Sequence, residues 1–162
     1  MIRKVTLQDA NQLKDIYNYY INHSVATLEE TEISEMYFIN LIKTITPKFP
    51  WYVYEVNKEI IGFASASPWK ERSGYKNSVQ LSVYLRPNNH HKGIGTKLYT
   101  KVIDDVKKQG IKVLMGGISL PNEASVRLHE KFGFVKAAHF NKIGYKFNKW
   151  VDVGYWQLIL NE

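Results

Sequence analysis

Residues 78–95, SVQLSVYLRPNNHHKGIG, constrain the fold of this chain more than any other stretch. Val79, Leu81, Val83 and Leu85 alternate with Gln80, Ser82 and Tyr84, the two-residue period of a strand at 78–85. A short polar loop follows, and Gly93-Ile94-Gly95 opens a helix over about 93–109. Ile94, Leu98, Val102, Ile103 and Val106 fall on its inner side, and Gly110 suits its C-terminal cap. A strand that enters a helix this way turns a row of backbone N–H groups, at the positive end of the helix dipole, toward a docking anion. A diphosphate fits that description. The two glycines alone are weak: the glycine-lysine-serine/threonine end of a Walker loop is missing, as is the third glycine of a dinucleotide fold.

The rest of the chain alternates strands and helices. A first strand is predicted over 2–7. Asp9 caps a helix with Ala10, Leu13, Ile16, Tyr17, Tyr20 and Ile21 on one stripe. Ser34 caps a second helix over about 34–45, with Phe38, Leu41, Ile42 and Ile45 on one face, and Pro47 and Pro50 end it. WYVYEV at 51–56 and IIGFASA at 60–66 flank Asn57-Lys58-Glu59 as a hairpin, and 68–77 is a loop. A strand at 112–118 precedes a helix at 122–132 that Asn122 caps and Gly133 closes, with Ala124, Leu128 and Phe132 on its face. A hairpin-like pair at about 134–146 and 150–160, turning near Asn148, completes the chain. The expected architecture is a single α/β (α+β) domain over 1–162, a mixed central sheet of about seven strands with about four helices.

Composition narrows the chemistry. The 162 residues contain no cysteine, which removes disulfides, cysteine nucleophiles and cysteine metal sites. Hydrophobic and charged contents of 44% and 23% are ordinary for a globular protein. The opening residues lack an apolar signal core and no apolar run reaches membrane-spanning length, so the expected location is the cytoplasm, without a membrane partner. The net charge of +7 is spread along the chain with no dense basic run and no nucleic-acid motif, so nucleic acid is not expected; a site for an anionic small molecule and a merely solvated basic surface both fit. His90, His91 and His129 do not make a metal site: adjacent loop histidines rarely share an ion, and no carboxylate or cysteine completes the set.

Five ordered motifs carry a resemblance. SVATLEE at 24–30, SASPWKERSGY at 65–75, SVYL at 82–85, ASVRLHEKFGF at 124–134 and GYKFNKWVDV at 144–153 are similar to the GCN5-related N-acetyltransferase (GNAT) superfamily, phosphinothricin N-acetyltransferase-like branch. The resemblance spans essentially the whole chain. It implies an acyltransferase moving acetyl from acetyl-CoA to the amine of a small amino-acid-like acceptor of the phosphinothricin, methionine sulfone or methionine sulfoximine type. Acetyl-CoA is the expected co-substrate, lying across the split between the strands at 78–85 and 112–118, and no metal is expected. The resemblance further implies that the backbone of Val83, Tyr84 and Leu85 pairs with the pantetheine arm. His90, His91, Lys92, Gly93, Ile94, Gly95 and Thr96 form the pyrophosphate loop. Asn122 and Ser125 lie by the pantetheine, although Asn122 also reads as a plain helix cap. His129 stands where the wider superfamily places a tyrosine that protonates the leaving thiolate. Arg72 matches an arginine that grips the acceptor's acid group, Tyr75 is a pocket wall, and Glu29 borders the acceptor site or is a surface carboxylate. A homodimer is the family expectation, with Tyr145, Phe147, Trp150, Tyr155 and Trp156 covering either a partner or the core.

Gln80 departs from the pattern. Relatives carry a glutamate there that takes a proton from the incoming ammonium, and an amide accepts no proton under ordinary conditions. Three routes stay open: His129 or Glu29 supplies the base, a water chain carries the proton to bulk, or the protein binds CoA and catalyses weakly. Other amine acceptors, such as a polyamine or a protein N-terminus, form a further alternative. His90 and His91 also replace an arginine or glutamine and a glycine common in relatives.

Overall fold

The computed structural model describes residues 1–90 and 92–160. Its elements are β1 (Ile2–Lys4), α1 (Ala10–His23), α2 (Glu35–Ile45), β2 (Trp51–Val56), β3 (Glu59–Pro68), β4 (Ser78–Leu85), α3 (Ile94–Lys108), β5 (Val113–Leu120), α4 (Glu123–Lys131), β6 (Val135–Lys146) and β7 (Lys149–Ile159). The seven strands form a mixed sheet in the order β1-β2-β3-β4-β5-β7-β6, the architecture expected from the sequence. Two compact units divide the chain. One holds Met1–Asn18, Ile33–Ser67 and Leu81–Gly110; the other holds Tyr19–Glu32, Pro68–Gln80 and the chain from Ile111.

In the first unit, β1, β2 and β3 pair antiparallel. The turn between β2 and β3 is two residues, Asn57 and Lys58, both at positive φ (49° and 67°). Val56 already faces Glu59, so Glu59 belongs to the strand and not to the turn; a two-residue turn of this hand matches the strand twist. Ser34 caps α2 as expected, accepting from the Tyr37 N–H at 3.2 Å. Asp9 does not cap α1. Its buried carboxylate takes both Arg3 Nη atoms at 2.8 Å and the Thr6 N–H at 2.7 Å. Burial alone would push Asp9 up, but the Arg3 fork and the Thr6 amide hold it below the usual carboxylate range. The Thr6 contact closes a capping box on a short 3-10 turn, Leu7–Asp9, that leads into α1. Asp9 thus caps this turn from its third position while pairing with Arg3, and is not the N-cap of α1. The core joins Leu13 and Ile16 of α1, Phe38 and Ile42 of α2, and Leu98, Val102 and Val106 of α3 to β2 and β3. Phe38 meets Trp51 and Phe63 edge-on, with ring centroids 6.2 and 6.1 Å apart.

In the second unit, β5 and β7 pair antiparallel from Val113↔Ile159 to Leu120↔Asp152, and β6 returns on β7 through a turn at Phe147 and Asn148, both at positive φ. The start of β4 joins this unit in parallel, Ser78↔Val113, Val79↔Leu114 and Gln80↔Met115. Helix α4 differs from its expected face. Ala124 is exposed, Leu128 and Phe132 are half-buried, and the buried residue is His129. The tail aromatics split: Trp156 is core, whereas Tyr145, Phe147 and Trp150 are exposed.

Candidate active site

Two consecutive glycines of β5 make room for candidate site residues of the second unit. Successive residues of a strand face opposite sides of the sheet, so Gly116 and Gly117 open both faces of β5 at one step. A Cβ on Gly116 would overlap the His129 imidazole, 2.5 Å from Cδ2. A Cβ on Gly117 would lie 2.9 Å from the Tyr155 ring and 3.3 Å from Gln80 Nε2. His129 and Gln80 therefore approach the same short stretch of backbone from opposite faces of the sheet, the first at Gly116 and the second at Gly117. The sequence reading missed these glycines; the signal was a GG pair inside an otherwise apolar strand, which marks close backbone approach.

His129 is 3% exposed. Its Nδ1 lies 2.7 Å from the Ser125 carbonyl oxygen, a pair that requires Nδ1 to carry the proton, so in the neutral ring Nε2 bears the lone pair. Burial lowers its pKa below the usual histidine value, against the opposing pull of the Ser125 carbonyl. Phe134 packs edge-on against the ring at 5.1 Å. Asn122 accepts from the Ser125 N–H at 3.2 Å and so caps α4, which fixes the turn whose carbonyl orients His129. This capping use of Asn122 is the bland alternative noted from the sequence.

Gln80 sits half-buried on β4. Beside it Tyr155 forms an aromatic wall, edge-on to Trp69 at 5.4 Å and to Phe140 at 6.1 Å. Arg72 is exposed and precedes a 3-10 turn (Ser73–Tyr75), its carbonyl accepting from the Tyr75 N–H at 2.9 Å; Tyr75 is exposed as well. Glu29 is exposed, its N–H bonded to Thr27 Oγ1 at 3.2 Å. For the acceptor, the sequence indicated Arg72, Tyr75 and Glu29 and named neither Trp69 nor Tyr155, whose rings pack together beside Gln80.

The first unit carries the segment that the sequence marks as a candidate anion loop. Gly93 is the N-cap of the 15-residue α3 at φ 74°, with no capping side chain, and a Cβ there would meet nothing within 4 Å. A left-handed cap at that point suits glycine. Asn89 Nδ2 donates to the Pro87 carbonyl at 3.1 Å, and Lys92 Nζ to Asn89 Oδ1 at 3.4 Å. His90 and Lys92 are exposed, Ile94 and Gly95 buried, and Thr96 half-buried; His91 lies outside the described residues. Val83, Tyr84 and Leu85 are half-buried, with Tyr84 edge-on to Tyr17 at 5.2 Å. An open glycine at a long helix N-terminus beside a lysine fits a large phosphate-bearing group. Among the described residues no cluster of His, Asp or Glu is arranged to hold a metal ion, and no helix is long and apolar enough to cross a membrane.

The acetyltransferase (GNAT) domain family matches residues 2–154. The chain belongs to the GNAT family. GNAT enzymes are acyltransferases that move acetyl from acetyl-CoA to an amine, and this chain is one of them. It is 35% identical over 156 residues to the phosphinothricin N-acetyltransferase of Streptomyces viridochromogenes, covering 96% of this chain and 85% of that one. It is 31% identical to an L-methionine sulfoximine/L-methionine sulfone acetyltransferase of Salmonella typhimurium, covering 99% and 95%. A GNAT phosphinothricin acetyltransferase from Sinorhizobium meliloti, solved in complex with acetyl-CoA, superposes with a TM-score of 0.96 at 29% identity, covering 100% and 89%.

Proposed function

We propose that residues 1–162 act as one acetyl-CoA-dependent N-acetyltransferase domain for the α-amine of small amino acids with a tetrahedral polar tail. Phosphinothricin, methionine sulfone and methionine sulfoximine are the acceptors in view. The names of the relatives support this acceptor class, and the neutral, oriented His129 is the observation that carries the chemistry. The backbone of Val83, Tyr84 and Leu85 and the loop from His90 to Thr96, with Asn122 and Ser125, hold acetyl-CoA, which supplies an activated thioester. Arg72 holds the acceptor's carboxylate by a two-pronged contact, and Tyr75 with Tyr155 and Trp69 walls its side chain.

His129 both takes and returns the proton. By way of a water, its Nε2 lone pair receives one proton from the acceptor ammonium, and the freed amine forms the new C–N bond as the C–S bond breaks. The resulting imidazolium protonates the departing thiolate, and the second proton, left on the new amide nitrogen, passes to solvent. Burial favours the neutral ring at the start, which is the form a base needs. Gln80 orients the amine or a water without exchanging a proton, and Glu29 borders the acceptor. The enzyme works as a homodimer, supported by the exposed Tyr145 and Trp150, whose rings meet at 5.0 Å, and by exposed Phe147 and Ile143.

Free-thiol release from acetyl-CoA across a panel of amines tests the reading. Turnover is expected with the three acceptors named and not with a polyamine or a peptide N-terminus. Tight acetyl-CoA binding with no turnover of any amine would make the protein a CoA-binding module instead. Arg72→Ala raises KM for the acceptor by about tenfold to a hundredfold, as loss of a charged two-pronged contact predicts, with acetyl-CoA KM unchanged. Gln80→Glu changes kcat/KM by less than about tenfold, because His129 already carries the proton; general-base gains of about a hundredfold or more would mean that the wild-type protein lacks a base.

A further inference from the structure

Lys146 ends β6 with 2% of its surface exposed. Its ammonium donates to the main chain of a distant segment: to the Ser24 carbonyl at 2.6 Å, the Thr27 carbonyl at 2.8 Å and the Tyr20 carbonyl at 3.4 Å. An ammonium has three donors, and all three serve this segment. Tyr20 lies in the last turn of α1 and Ser24 follows the helix directly, so the cation also sits at the negative end of the helix dipole. Glu30 and Glu29 act on it at longer range.

Gly144 lies two residues earlier, on the same side of β6 by strand alternation. A Cβ there would come within 2.6 Å of Leu28 Cδ1, so Leu28 rests where any other residue would place a side chain. The stretch 24–28 is thereby fastened to β6 twice, by a polar clamp at Lys146 and an apolar seat at Gly144. Glu29 follows at once, its N–H tied back to Thr27 Oγ1 at 3.2 Å. Burying a full charge to bond only carbonyls is a poor route to stability, since an apolar side chain of similar volume often serves as well. What the arrangement does supply is a defined loop position.

We propose that Lys146 is a positioning residue for the acceptor: by clamping 24–28 to β6 it sets the place of Glu29, with Gly144 as the second contact of the clamp. This rests on the reading that Glu29 borders the acceptor site. Lys146→Met raises KM for the acceptor by about tenfold, while kcat and the KM for acetyl-CoA stay within about twofold of wild type. Gly144→Ala, which removes no charge, moves the acceptor KM the same way by about threefold. In both variants amide hydrogen exchange quickens at 24–30 and not in α3. A melting temperature that falls while the acceptor KM stays put, or KM values for both substrates rising together, overturns the proposal. Should Lys146→Met fail to fold, Gly144→Ala and Leu28→Ala decide it on the same readouts. If the wild-type protein turns over no amine, the proposed function fails, and the clamp is judged on exchange alone: unchanged exchange at 24–30 overturns it, and quickened exchange there supports it.

Discussion

His129→Ala lowers kcat/KM for the acceptor by about a hundredfold to ten-thousandfold, the usual worth of a positioned acid–base group, and leaves acetyl-CoA affinity within about threefold. The expectation follows from three observations on one ring. It is buried, its Nδ1 is committed to the Ser125 carbonyl at 2.7 Å, and its Nε2 is the atom brought to the Gly116 backbone. A ring held in that tautomer with a lowered pKa is a base at neutral pH. The sign follows for the pH profile. As pH falls through the His129 pKa, below the usual histidine value, the imidazole protonates and kcat/KM declines. His129→Gln removes that acidic limb together with most of the rate, whereas a histidine with only a packing role would leave the limb in place. Steady-state kinetics from about pH 4 to 8, reaching below the roughly pH 5–8 range of an unperturbed histidine, checks both.

Gly116→Ala is expected to lose about tenfold to a hundredfold in kcat/KM, as a displacement near 1 Å of a reacting group does. The new methyl would fall 2.5 Å from His129 Cδ2, so the ring has to leave its place or the strand has to shift. Such overpacking also destabilises by about 1–3 kcal/mol, which a melting curve separates from the kinetic loss. Gly117→Ala makes the comparison: its methyl meets Tyr155 and Gln80 instead, so its effect falls on the acceptor KM. Equal effects of the two alanines on kcat would contradict the separate roles given to His129 and Gln80.

Much of this was legible in the sequence because local rules agreed with the final packing. The alternation at 78–85, the glycine at the start of α3 and the Ser34 cap needed no distant partner to be read. What escaped reading depended on contacts across the chain. Asp9 looked like the N-cap of α1, but its carboxylate pairs with Arg3, six residues away, and closes a capping box on Thr6 one turn earlier. On α4 the apolar stripe of Ala124, Leu128 and Phe132 pointed to the wrong buried side, because the core at that helix accepts an imidazole whose Nδ1 is already satisfied within the helix. Gly116, Gly117 and Gly144 reveal their use only when the side chain that fills each space is known, and Lys146 reads as an ordinary surface lysine until its carbonyl partners, 119–126 positions away, are in view.

In the proposed mechanism the protein deprotonates a bound ammonium through His129 although position 80 is an amide. The pH dependence of kcat/KM for the wild-type enzyme with methionine sulfone, followed from the histidine range up to the acceptor's own amine pKa, tests it most directly. Binding of the ammonium form with His129 as base predicts a plateau between the two pKa values. A rate that climbs by about tenfold per pH unit all the way to the amine pKa, the mark of an enzyme that only captures amine already neutral in solution, would contradict it.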